Sequence, residues 1–278
     1  MDGGTPAVAS SAPGRLMRSR NPFAAFGRHR NLTRELVRNE ILGRYRGASF
    51  GMLWSLLSPF MMLVVYTIAF GSILKGRWPQ VGDTHVEFGL VIFVGIFVHG
   101  FFGECFTRAP RLMLENANYV KRVVFPLDIL PWTMALSGLF HLAMNVLVFC
   151  LLSFFVYRQL SPMVVLLPLV LLTGAVSWVM SSLGVYLRDI AQVAPVVSTA
   201  MFFLSSAIIP VDAVPGNYQL VFRLNPLTFF IDQARAVALW GQQPDWAGLG
   251  WYALGGLVAV YAAHAWFRRT SRGFADVL

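Results

Sequence analysis

Hydrophobic positions along the chain gather into six long blocks, separated by short polar or basic stretches. Gly47–Leu74 is 28 residues without a formal charge, about 42 Å as a helix. A bilayer core needs about 20 apolar residues, so this block spans a membrane. Counting from it, spans are predicted over about 51–74, 88–106, 131–156, 163–183, 192–209 and 249–267. The fold class is therefore an all-α membrane protein with six transmembrane helices. Pro59 removes one backbone hydrogen bond inside the first span and predicts a kink or an offset start. Gly174, Ala175, Ser177, Ser181, Ser182 and Gly184 give the fourth span a face of small residues suited to close helix contact.

The stretches between the blocks carry the remaining pattern. Residues 1–28 are rich in Gly, Ala, Ser and Pro, then in Arg, and read as a flexible extension. They hold no apolar stretch of the kind a cleavable leader needs, so the first span directs insertion. In 29–46, Arg30, Arg34 and Arg38 recur every four residues on one helix face, with Glu35 within reach of Arg38. This segment is either an amphipathic helix along the cytoplasmic surface or a basic flank of the first span. Residues 107–130 set Arg111, Lys121 and Arg122 against Glu115 and Asp128, and predict a short cytoplasmic amphipathic helix. Glu104 ends the second span with Arg108 one turn on, either as an interfacial ion pair or as a functional acid. His141 and Asn145 share one face of the third span and point at another helix or a cavity rather than at lipid. Leu227–Trp240 mixes apolar and polar residues, as an outer-side helix or a re-entrant excursion would.

Charge orients the chain. The net charge is +9. Seventeen of the 22 Lys/Arg lie in the termini, the 104–128 loop and the 184–191 loop, and five lie in the other loops. That bias puts both termini in the cytoplasm. Because the charge sits between apolar blocks, it does not describe a nucleic-acid surface. Cys105 and Cys150 have no disulfide or metal spacing and read as small apolar residues. Walker A, zinc-protease and nucleophile-elbow motifs are all missing from the sequence, so ATP binding or hydrolytic chemistry by those routes is excluded. The 14% aromatic content suits membrane interfaces or rings that stack on sugars. Tyr66, Trp178, Phe202 and Phe203 are candidate conduit residues by position, together with His141 and Asn145.

Four stretches carry a resemblance: RYRGASFGMLWSLLSPFMMLVVYTIAF (44–70), ENANYVKRVVFPLDILP (115–131), LGVYLRDIAQ (183–192), and the closing LNPLTFFIDQAR with FADVL. Over about residues 30–278 the chain resembles the membrane (permease) subunits of ABC exporters of the ABC-2 type for bacterial surface polysaccharides. It is nearest the O-antigen exporters of lipopolysaccharide assembly, then the capsular and teichoic acid exporters. The resemblance implies an N-terminal amphipathic interface helix over 29–46 and a transmembrane domain over 47–278 in the cytoplasmic (inner) membrane. It implies coupling helices around Arg108–Asn118 and Tyr186–Ile190, with Arg108, Arg111, Glu115, Asn118, Arg188 and Asp189 facing an ATPase. It implies two short outer-side helices before the last span, with Pro215 and Gly216 in the outer loop. The implied partners are a second copy of the chain, two ABC ATPase subunits that hold ATP and Mg, membrane lipids and an undecaprenyl-diphosphate-linked glycan. The chain itself would carry no cofactor, no metal and no catalytic residue. Arg30, Arg34, Arg38, Arg44, Arg46, Lys121 and Arg122 could meet the lipid diphosphate through charge-assisted hydrogen bonds. The alternatives within transport are a capsular, teichoic acid or small-molecule exporter. The alternative outside transport is a membrane enzyme acting on lipid-linked saccharides, which would need paired acids that Asp128 and Asp189 do not form.

Overall fold

The structure, a computed structural model, describes residues 21–73, 78, 85–120, 125–157 and 163–277. Its helices in chain order are α1 (Pro22–Arg28), α2 (Arg30–Arg44), α3 (Trp54–Tyr66), α4 (His85–Arg108), α5 (Leu112–Glu115), α6 (Ala117–Val120), α7 (Ile129–Tyr157), α8 (Leu167–Tyr186), α9 (Ile190–Phe203), α10 (Gly216–Leu224), α11 (Pro226–Ala238), α12 (Trp246–Thr270) and α13 (Phe274–Val277). Among the described residues there is no strand. The all-α membrane architecture is as expected.

Five segments are long and apolar enough to cross a membrane: Gly51–Ser72, Val86–Glu115, Ile129–Val156, Met163–Tyr186 and Trp246–Gly273. The expected fifth span, 192–209, differs. Its helix is the shorter Ile190–Phe203, about 21 Å long. From Leu204 to Pro210 the chain runs as irregular backbone before a 3-10 turn, Val211–Ala213. Other departures are smaller. Pro22–Arg28, assigned to the flexible extension, is helical and seated. The Trp132 indole Nε1 donates to the Pro22 carbonyl at 3.2 Å, and Phe23 packs on Trp132 with ring centroids 5.5 Å apart. Residues 1–20 lie outside the described residues, as do Lys121 and Arg122. Pro59 sits inside α3 and does not end it. After Tyr66 the first span changes to π-helical turns over Thr67–Ile73.

α4 is the centre of the bundle. In its apolar window 72% of residues are buried, against 11% for the first span, which therefore rides at the periphery. α8 and α12 form the closest pair. The predicted small-residue face of α8 is the buried one, with Thr173, Gly174, Ala175, Ser177, Ser181, Ser182 and Gly184 all inside. Its serine hydroxyls are satisfied locally: Ser177 Oγ donates to the Thr173 carbonyl at 2.7 Å and Ser181 Oγ to the Trp178 carbonyl at 3.1 Å, whereas Thr173 Oγ1 has no hydrogen-bond partner in the structure. Trp266 Nε1 then donates to Ser182 Oγ at 2.9 Å across the pair.

Gly184 has a specific reason. A Cβ there would collide with the Pro110 carbonyl group, whose carbon would be only 2.6 Å away. Backbone cannot yield as a side chain can, so this glycine lets the 109–111 turn sit directly on α8. Gly184→Ala is expected to cost about 1–3 kcal/mol through overpacking. Gly174→Ala, with nothing within 4 Å of the added carbon, is expected to change stability by less than about 0.5 kcal/mol. Thermal unfolding of the two purified variants checks the difference.

Candidate functional site

At the end of the bundle where α4 finishes, a charge network ties α2 to α4. Glu104 Oε1 accepts from Arg44 Nη2 and from Arg108 Nη1, the latter at 3.1 Å. Arg108 Nη2 donates to Glu40 Oε1 at 2.6 Å. The predicted Glu104–Arg108 pair is thus present, and Glu40 and Arg44 extend it. Thr33 and Ile41 are the buried residues of α2, while Arg30, Arg34 and Arg38 lie on its exposed side and Arg46 is exposed just beyond it. Glu35 makes no ion pair with Arg38 among the described residues.

The network stands at one end of a cavity of about 370 Å³ between α3, α4 and α7. Arg44, Tyr45, Glu104 and His141 line it at that end, and Tyr66, Phe93 and Asn145 also contribute to its wall. The Tyr45 hydroxyl lies 3.3 Å from His141 Nδ1, and His141 Nε2 is buried with no hydrogen-bond partner in the structure. Asn145 Nδ2 is spent on the His141 carbonyl at 2.8 Å. Burial raises the Tyr45 phenol above its ordinary range, with Arg44 opposing and Glu104 adding to the shift, so the hydroxyl keeps its proton at neutral pH. An apolar slot with a few convergent polar groups at one end is the usual form of a ligand pocket.

Of the six conduit candidates, Tyr66, His141 and Asn145 meet in this cavity. The other three do not. Trp178 is 1% exposed and is wedged in the core between Trp132 and His264, with centroids 5.1 and 5.4 Å away. Phe202 packs on His99 at 4.8 Å, between α4 and α9. Phe203 is 60% exposed on the outside of α9. A bulky ring inside an apolar block looks the same in sequence whether it fills a core or faces a cavity.

The same end carries an exposed polar face. The expected coupling helix is a chain of short turns: a 3-10 turn Ala109–Arg111, then α5 and α6. Leu112 and Met113 are buried beneath it, while Arg111, Glu115 and Asn118 are exposed. Arg111 and Glu115 form no ion pair with each other, and Asp128 stands 3.8 Å from His264 Nε2 instead of facing Arg111. Around Tyr186–Ile190 the chain makes a turn between α8 and α9 with Arg188 and Asp189 exposed. The Gly184–Pro110 contact joins the two segments into one surface. Tyr186 OH donates to the Thr270 carbonyl at 2.7 Å, which fastens the C-terminal turn to it.

At the opposite end, Pro215 and Gly216 are exposed where α10 begins. The most elaborate polar chemistry of the bundle lies beside them, on residues the sequence reading did not single out. Arg235 of α11 is fully buried. Its Nε donates to the Val91 carbonyl at 2.9 Å and its two Nη atoms to the Ser206 and Ala207 carbonyls, the latter at 2.7 Å. The Trp78 ring covers the guanidinium at 4.4 Å, and Asp232 Oδ1 is 4.0 Å off. Asn225 Nδ2 donates to the Met201 and Leu204 carbonyls at 2.7 and 3.0 Å, and its Oδ1 caps α11 through Leu227 N at 3.1 Å. An arginine in the middle of LTFFIDQARAVALW, with only one acid nearby, was the available signal.

Glu104→Gln removes two of the three ion pairs of the network at the basic end. Arg44 and Arg108 are each more than a third exposed, so the expected loss is only about 1 kcal/mol or less. The expected readout is local: faster backbone hydrogen exchange across α2, with α8 and α12 unchanged.

Comparison with known sequences agrees with this architecture. The chain is 24% identical over 255 residues to the O-antigen export system permease protein RfbA of Myxococcus xanthus, a match covering 89% of this chain and 95% of that protein. It is 21% identical over 251 residues to the O-antigen export system permease protein RfbA of Klebsiella pneumoniae, covering 87% and 93%. It is 22% identical over 241 residues to the polysialic acid transport protein KpsM of Escherichia coli, covering 84% and 91%. Residues 31–239 match the ABC-2 type transporter family, a region that takes in the charge network, the cavity and the Arg235 cluster. The chain is a multi-pass membrane protein and belongs to the ABC-2 type transporter family.

Proposed function

We propose that this chain is the permease half of an exporter that carries undecaprenyl-diphosphate-linked polysaccharide, O-antigen in the first instance, across the bacterial cytoplasmic membrane. The observation that carries the reading is the near full-length similarity to relatives named for O-antigen export and for polysialic acid transport. A capsular polymer is the second reading, favoured by the polysialic acid relative.

In this reading the basic end of the bundle is cytoplasmic and both termini lie there. Two copies pair in the membrane and two separate ATPase subunits, with their ATP and Mg, supply the energy. This chain performs no chemistry of its own. The exposed surface built from Arg111, Glu115, Asn118, Arg188 and Asp189 is where the ATPase docks. The Gly184–Pro110 contact makes that surface a single body able to pass a push into α4 and α8.

The cavity gives the lipid headgroup a place to arrive. Arg44 at its edge is already shared with Glu104. Arg30, Arg34, Arg38 and Arg46 are exposed and carry no ion pair among the described residues, so they are free to meet an anion. Guanidinium forks bind phosphate oxygens in pairs, which favours them for a diphosphate. Lys121 and Arg122 would add to the same basic end.

Depletion of the chain is expected to leave lipid-linked polymer inside the cell and to strip it from the surface; normal surface polymer would contradict the reading. Reversing the charge of Arg38 and Arg46 together is expected to lower lipid-linked glycan binding at least tenfold, about 1.4 kcal/mol, without loss of folding. Binding to liposomes that hold the permease and its ATPase measures this. For orientation, an impermeant thiol reagent applied to intact cells should label Gln243→Cys and spare Asn118→Cys.

A further inference from the structure

The end of the bundle opposite the basic face holds a second cavity, of about 480 Å³, between the 210–212 turn and α10–α11. This is within the ~300–1,000 Å³ range of small-molecule pockets. Its wall combines the rings of Phe229 and Trp240 with the side chains of Asp212, Arg223, Thr228 and Asp232. Phe229 is held flat by Tyr252, whose ring stacks on it at 4.6 Å and 22°. Thr228 is 5% exposed, and its Oγ1 is buried with no hydrogen-bond partner in the structure. A buried hydroxyl without a partner costs free energy, and a ligand that bonds it recovers that cost.

The lining selects a chemical class. A pyranose ring has an apolar C–H face and a rim of hydroxyls. Aromatic walls take the face, while carboxylates and a threonine hydroxyl take the rim. Asp212 and Asp232 offset Arg223 and the Arg235 guanidinium, which lies 4.0 Å behind Asp232, so the site has no net positive charge to draw phosphate. The basic end of the bundle instead carries exposed arginines with no ion pair among the described residues. We infer that this cavity is a saccharide subsite, holding an uncharged or amino sugar unit of the transported polymer after its lipid headgroup has been recognised elsewhere. The inference rests on the polysaccharide reading above and adds a site to it.

The test uses the full-length chain in lipid nanodiscs. The probe is the lipid-free repeat-unit oligosaccharide released by mild acid from the surface polymer of the cells that make the protein. Saturation-transfer NMR and equilibrium dialysis should detect saturable binding. Thr228→Val, which keeps the side-chain shape, and Trp240→Ala should each weaken it about tenfold or more. Inorganic diphosphate should not compete. No saturable binding at roughly millimolar probe, or Thr228→Val binding like the parent, overturns the inference. Surface display separates the two levels. If display requires the chain and the oligosaccharide does not bind, the subsite is wrong and the exporter reading stands. If display does not require the chain, the exporter reading fails and the subsite with it.

Discussion

Backbone carbonyls that leave a helix inside an apolar bundle must find donors, and this constraint governs the end of the molecule where α9 breaks. Ser206 and Ala207 are fully buried and carry their carbonyls outside any helix. Buried as they are, each would cost several kcal/mol unpaired. Arg235 supplies both donors, while Asn225 serves the Met201 and Leu204 carbonyls just before them, and both residues come from the segment that follows the break. One guanidinium serves three carbonyls, on two elements distant in sequence. The Gly95 position completes the fit, since a Cβ there would sit 2.6 Å from the Ala207 carbonyl oxygen and 2.9 Å from Arg235 Nη2. α4, the end of α9 and α11 are therefore one interlocked unit.

That unit and the basic-end network share α4. Val91 accepts from Arg235 near the start of the helix, and Glu104 joins Arg44 near its finish. Between them lie Phe93, Phe97 and Gly100, which form one wall of the inner cavity. α4 is thus anchored by an arginine near each end. The two cavities divide the chemistry along it. One has basic residues around it and an unpartnered histidine nitrogen. The other pairs its acids with guanidiniums and has aromatic walls.

Much of this was legible in the sequence, because membrane burial imposes a coarse and strict pattern. Five of the six predicted spans are long helices at nearly the expected bounds, and the small-residue face of α8 is the buried face. The Glu104–Arg108 pair followed from one-turn spacing. What failed has physical causes. The end of α9 is as apolar as a helix, and its departure from helical geometry depends on donors more than twenty residues away. Trp178 and Tyr66 are both aromatic residues in apolar blocks, and only packing separates the core wedge from the cavity wall. Arg111 and Glu115 have the spacing of a helical pair, but the backbone there is a 3-10 turn followed by a single short helix.

The claim on which the account rests most is that Arg235 keeps the broken end of α9 packed inside the bundle. It is tested by the reactivity of a Ser206→Cys thiol toward a small maleimide in native membranes, with Cys105 and Cys150 replaced. In the parent background this fully buried position should be protected. Adding Arg235→Met should expose it, Arg235→Lys should give an intermediate rate, and Asp232→Asn should leave it protected. Unchanged protection of the Ser206→Cys thiol in the Arg235→Met background would contradict the account.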